Sequence, residues 1–186
     1  MTERKRRAAA LLASGMIFGL SLFFYQQIGQ TLLKYLGRPT VAGTYYLLKC
    51  LGTGVQQSGL TLIVPHIQNH CIQPDSIGLI GISLFLSIAT ALMVLDGKRL
   101  GTVGTGLFLM AGVLVMLLAN TLRLSASIAV EHWAQRLWGN SNLAEKFSHL
   151  AQAHMGWVLY AVLITGGIAF WNHTGARPRT GLPETN

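Results

Sequence analysis

Apolar residues along the chain gather into four long, uncharged runs at residues 8–29, 76–95, 102–123 and 154–171, the third of them closing on Arg123. A hydrocarbon core about 30 Å thick is crossed by roughly 20 apolar residues in a helix, so each run predicts a transmembrane helix. The first follows Thr2-Glu3-Arg4-Lys5-Arg6-Arg7, which resembles the basic start of a signal peptide. It ends, however, in Phe23-Phe24-Tyr25-Gln26-Gln27, bulky and then polar rather than small as at a cleavage site, and it predicts a retained helix. Trp157, Tyr160 and Trp171 are placed to anchor the last run in the interfaces. A fifth segment, residues 40–55, is apolar but interrupted by Gly43, Lys49, Gly52 and Gly54, and reads as an amphipathic or re-entrant helix lying in the outer interface. Residues 60–72 alternate imperfectly and are rich in branched side chains, as a short extended segment or hairpin before Cys71 would be. Gln73-Pro74-Asp75-Ser76 then supplies a proline and two caps for the next helix.

The expected fold is therefore an all-α polytopic integral membrane protein. It is a single membrane domain over residues 1–186, with about four transmembrane helices, one outer interfacial helix and a short extended segment. Composition agrees, because 51% apolar and only 11% charged residues leave too little polar surface to solvate a globule of this size.

Charge fixes the orientation. Of the 14 Lys and Arg residues, Arg4, Lys5, Arg6, Arg7, Lys98, Arg99, Arg177 and Arg179 cluster at the termini and at one turn. The positive-inside rule places these in the cytoplasm of a cell-membrane protein, and residues 30–75 and about 123–154 outside. A net charge of +8 arranged as membrane flanks, without interleaved aromatics, argues against nucleic acid and for lipid as the partner.

Candidate chemistry falls in the two outer stretches. Cys71 precedes a helix start, where backbone dipoles favour the thiolate; the plain alternative is an inert small hydrophobe. Cys50 reads as packing, or as a disulfide partner that would disable Cys71. Arg123 ends a long apolar helix, and Asn120 one turn earlier shares its face and can orient the guanidinium; the alternative is an arginine snorkelling to the headgroups. His149 and His154 stand at the outer mouth of the last helix, where an imidazole suits proton transfer near neutrality. A zinc site drawn from His66, His70 and Cys71 lacks both a spacing signature and an acidic base, so no metal or cofactor is expected. Glu131 and Glu145 read as orienters or substrate contacts, with the plain alternative of exposed face residues.

An outward Cys71 before one helix, Asn120-Thr121-Leu122-Arg123 ending the next, and histidine before a last helix containing Gly156 together resemble the exosortase/archaeosortase family, over roughly residues 55–171. The resemblance implies a membrane cysteine transpeptidase with Cys71, Arg123 and a histidine as its core. Its substrates would be exported proteins with a C-terminal motif, a transmembrane helix and a basic tail, cleaved on the outer face through a thioester. Gln152 occupies the position four before Gly156, which leaves His154, with His149 as the alternate, for the histidine role. The competing expectation is a non-enzymatic membrane subunit or small transporter in which Arg123 is a structural or substrate-binding charge.

Overall fold

A computed structural model describes residues 3–65, 67, 69–73, 77–96, 101–139 and 142–174. The described chain is mostly helical. Its elements run α1 (Glu3–Phe23), α2 (Tyr25–Cys50), β1 (Gln56–Ser58), β2 (Thr61–Ile63), β3 (His70–Cys71), α3 (Leu79–Asp96), α4 (Gly101–Trp138) and α5 (Asn142–Thr174).

The helix expected over residues 8–29 is divided at Phe24, where α1 gives way to α2 with little loss of hydrogen bonding: Phe24 N–H donates to the Leu20 carbonyl and Ile28 N–H to the Phe24 carbonyl, both at 2.9 Å. Residues 40–50 of the expected interfacial segment are the last part of the 26-residue α2. Of the glycines that suggested an interruption, Gly52 and Gly54 do follow the end of α2, with φ of 71° and 69°, whereas Gly43 is a contact point, where a Cβ would lie 3.0 Å from Thr121 of α4; α2 buries Gly29, Gly37, Thr40, Val41, Thr44 and Leu48. Pro39, inside α2, removes one N–H from the ladder and disfavours a straight helix there. At the end of α2 the Thr53 N–H and hydroxyl both turn back to the Leu48 carbonyl, at 3.3 and 3.0 Å.

The extended segment before Cys71 is a three-stranded antiparallel sheet in the order β1-β2-β3. Ser58 pairs with Thr61, so Gly59 and Leu60 form a two-residue turn, and Gly59 supplies the positive φ of 60° that its first position requires. Cys71 pairs with Thr61 and His70 with Leu62.

Two apolar cores result. One joins Val41 and Leu48 of α2, Val55, Leu62, Val64 and Ile72 around the sheet, and Ile128 and Ala129 of α4. The other joins Ile82, Phe85 and Ala89 of α3, Met116 and Ala119 of α4, and Tyr160 of α5. Helix α4 serves both, passing from one to the other between Ala119 and Ile128. Helix α1 packs along α3, and α5 along α4.

By length and composition, α1 and α4 are apolar enough to cross a membrane, and 79–95 is a shorter apolar helix. Val103, Leu107, Met110, Leu114, Leu118 and Leu122, three or four residues apart on α4, are each more than half exposed. Leu11, Leu12, Met16, Leu20 and Phe23 of α1 are exposed as well. Hydroxyls within the helices satisfy themselves locally, as when Thr44, Ser87 and Ser125 donate to carbonyls four residues earlier at 2.7–2.8 Å.

Candidate functional site

The changeover between the two cores on α4 is where the polar side chains converge. Asn120 is almost fully buried at 1% exposure, and its Oδ1 accepts two donors: Arg123 Nε at 3.2 Å and the Tyr160 hydroxyl at 3.3 Å. The first bond spans one turn of α4 and the second bridges α4 to α5.

Three glycines make room for this cluster. Gly78, just before α3, has φ +81°, and a Cβ there would fall 2.6 Å from Asn120 Cγ, so the amide lies directly against the entrance of α3. A Cβ on Gly81 would meet the Tyr160 ring at 2.7 Å, and one on Gly156 would meet Arg123 Cδ at 2.9 Å. The arginine stem thus runs across the bare backbone of α5.

Arg123 itself is half-buried. A guanidinium carries five N–H donors, and here Nε alone is engaged by a described residue. The two Nη nitrogens, with four donors in a planar fork, are neither paired with a described residue nor among the fully buried unpaired atoms. Such an arrangement holds the charge by one edge and presents the other to an incoming anion or oxyanion.

Cys71 lies on β3, exposed, eight residues before the start of α3 at Leu79. Residues 74–76, expected to begin that helix, lie outside the described residues. The Cys71 thiol's one hydrogen-bonding contact is long, 4.0 Å to the carbonyl of Ile72. Cys50 is also free and exposed, so the two cysteines are unpaired and Cys50 is not a packing residue.

The next residue back, His70, turns to the opposite face of the strand, as alternation requires. Its Nε2 is 3.4 Å from Glu131 Oε2 of α4, within ion-pair reach but without hydrogen-bond geometry, and this buried nitrogen has no hydrogen-bond partner. Beside it, His132 Nδ1 is 3.0 Å from the Pro65 carbonyl. A carbonyl only accepts, so Nδ1 carries the proton. His70, Glu131 and His132 together tie the sheet and the segment leading to Cys71 onto the C-terminal half of α4.

His154 is exposed on α5. It stands two residues from Gly156, about 200° around the helix, and so on the side away from the glycine that receives Arg123. The side chain at His149 lies outside the described residues, as do His66 and the side chain at Glu145. The structure therefore brings Asn120 and Arg123 together, and no hydrogen bond or ion pair joins Cys71, Arg123 and His154 to one another among the described residues.

Sequence reasoning missed Tyr160, Gly78 and Gly81. In the sequence Tyr160 has the look of an interfacial anchor, although its place four residues after Gly156 puts both on one face of α5. No family model, curated protein or solved structure matches this chain.

Proposed function

We propose that the chain is a multi-pass membrane cysteine peptidase or transpeptidase that cleaves C-terminal tails of exported proteins on the outer face of the membrane. The membrane part of this reading is supported by the exposed stripe of α4: from Val103 to Leu122 it covers about 28 Å at roughly 1.5 Å per residue, one hydrocarbon thickness, and Arg123 is the first residue beyond it. Under this reading α1, α3, the first half of α4 and the second half of α5 cross the bilayer. Helix α2, the sheet and the remaining halves of α4 and α5 stand outside, and both termini are cytoplasmic.

The observation that carries the chemical reading is the unpaired Nη fork of Arg123, fixed by Asn120 at the boundary between the two cores. A guanidinium held there in a partly dehydrated site stabilises developing negative charge more than it would in water. Cys71 is the nucleophile: its thiolate attacks the scissile carbonyl, Arg123 neutralises the oxyanion, and a histidine of α5, His154 or His149, protonates the departing amine. Water then hydrolyses the thioester, or an amine captures it and completes a transpeptidation. Substrate tails bring their own transmembrane helix, which lies along the lipid-facing side of the bundle, and a basic end that stays in the cytoplasm.

The test is a reporter carrying a C-terminal motif, an apolar helix and basic residues, taken from the same genome and incubated with the purified protein in liposomes. Cleavage, with a thioester trapped on Cys71 and released by hydroxylamine, is the expected result. Absence of both across all such tails overturns the peptidase reading.

The absence of a bond between Cys71 and either Arg123 or His154 favours a second reading, a non-enzymatic membrane subunit or small transporter in which Arg123 binds an anion. Under that reading Arg123 matters and Cys71 is dispensable.

A further inference from the structure

Helix α2 carries Gln30, Lys34 and Arg38 at four-residue intervals, and so on one face. Opposite them the turn between β1 and β2 closes a groove of about 360 Å³ lined by Gln30, Leu33, Lys34, Arg38, Gly59 and Leu60. Two like charges one turn apart repel, and a helix bears that cost more readily when a counter-charge is near. The chain supplies none locally: between Arg4 and Pro74 the sequence contains no Asp or Glu, and neither cation forms an ion pair with a described residue. The Lys34 ammonium lies 5.8 Å from the centre of the Tyr35 ring, a contact that leaves its N–H donors available. Leu33 and Leu60 add an apolar wall to the same groove.

Depth narrows the choice of counter-charge. If α1 enters the hydrocarbon at Ala8, about 20 residues bring the chain to its outer edge near Ile28. Gln30 then stands about 3 Å, Lys34 about 9 Å and Arg38 about 15 Å further along the helix axis, with the two long side chains able to reach back toward the membrane. The headgroup layer is about 5–8 Å thick on each side, so Gln30 lies within it and the Lys34 and Arg38 side chains reach its phosphates from the water side.

We propose that the groove binds the phosphate of an anionic phospholipid in the outer leaflet, with Lys34, Arg38 and Gln30 donating to the phosphate oxygens and Leu33 and Leu60 contacting the glycerol and first acyl carbons. The proposal rests on the membrane-spanning reading of α1 and is independent of the peptidase chemistry. Carbonate extraction of membranes checks insertion first: release of the protein by carbonate overturns the spanning reading itself.

With an inserted protein, delipidated full-length chain in detergent is titrated with dioleoyl phosphatidylglycerol and the bound fraction is read by native mass spectrometry. The expected result is one tightly retained lipid, with Lys34→Gln/Arg38→Gln weakening retention about thirtyfold, from the usual contribution of a basic residue near an anionic surface. Arg4→Gln/Lys5→Gln, an equal change of charge at the other end of α1, should leave retention unaltered. Equal retention by the groove variant, or equal loss in the control, overturns the proposal. Inorganic phosphate in large excess should leave the lipid in place. Displacement by phosphate would assign the groove to a soluble anion, and displacement by a glutamate-rich peptide to a protein partner, and either overturns the lipid assignment.

Discussion

Arg123 Nε and Asn120 Oδ1 meet at 3.2 Å across one turn of α4, and the same oxygen accepts the Tyr160 hydroxyl from α5 at 3.3 Å. A single buried acceptor thus orients the cation and pins the helix pair that carries it. The expected consequence is coupling. Asn120→Ala strips two donors of their partner and should destabilise by about 1–3 kcal/mol, and Tyr160→Phe by about 1 kcal/mol. In a double-mutant cycle read by thermal unfolding in detergent, the pair should show an interaction of about 0.5–1.5 kcal/mol. Strictly additive losses would mean that the bridge contributes nothing.

The glycines around this cluster predict a graded series. Gly78→Ala combines a left-handed backbone with a side chain driven into Asn120, and should cost about 2–4 kcal/mol. Gly156→Ala meets only the flexible stem of Arg123, so a smaller loss, about 1 kcal/mol, is expected together with displacement of the guanidinium. Gly166 has open space around it, and Gly166→Ala should be neutral or slightly stabilising, since alanine is the better helix former. Melting temperatures of the three variants check the order, and a Gly78 variant as stable as the Gly166 variant breaks it.

Much of this was legible in the chain, and for physical reasons. Length and apolarity alone locate α3 and the apolar parts of α4 and α5, and the spacing of Asn120 and Arg123 places them on one face before any tertiary contact is known. What lay beyond the apolar runs was harder. Helices α4 and α5 extend well past their apolar parts, to Trp138 and back to Asn142, because the core around Leu48, Leu62 and Ile128 rewards burial that no hydropathy run announces. Gly43 reads as a breaker in isolation and serves as a contact against Thr121 in the fold. The link from His70 to Glu131 is a pairing between residues 61 positions apart, set by the sheet and not by any local pattern.

Both cysteines are exposed, which makes topology directly testable. With α1 running outward, residues 50 and 71 share the outer side, and each should react with a membrane-impermeant maleimide added to intact cells. Cys50→Ala and Cys71→Ala single variants separate the two signals, and labelling after permeabilisation supplies the total. Reaction of either residue only after permeabilisation reverses the orientation.

Charge identity at Arg123 distinguishes catalysis from anchoring. An arginine that only snorkels tolerates lysine, which keeps the charge and the reach. One that uses a planar fork does not, so Arg123→Lys should lower processing of a tail-bearing reporter by about tenfold or more while leaving insertion and abundance unchanged. Cys71→Ala should abolish processing and Cys50→Ala leave it near the parental rate. Parental rates in both Arg123→Lys and Cys71→Ala would return the molecule to the non-enzymatic reading.

The last prediction concerns which histidine of α5 moves the proton. Gly156 marks the face of α5 that Arg123 crosses, and the exposed His154 stands about 200° from it. Position 149 is seven residues before Gly156, so its backbone lies within about 20° of two full turns and about 10 Å further along the axis. A group that protonates a leaving amine must stand within hydrogen-bond reach of the atom that Arg123 and Cys71 act upon. The helix geometry therefore orders the two: His149→Ala should lose most processing, and His154→Ala should retain a larger share. Turnover of one reporter by each variant, normalised to the amount of inserted protein, measures the difference. Loss confined to His154→Ala would show that α5 turns on substrate binding or that the proton is delivered from the lipid-facing side, and parental rates in both would remove histidine of α5 from the mechanism and leave His70, held beside Glu131, as the imidazole nearest Cys71 in the chain.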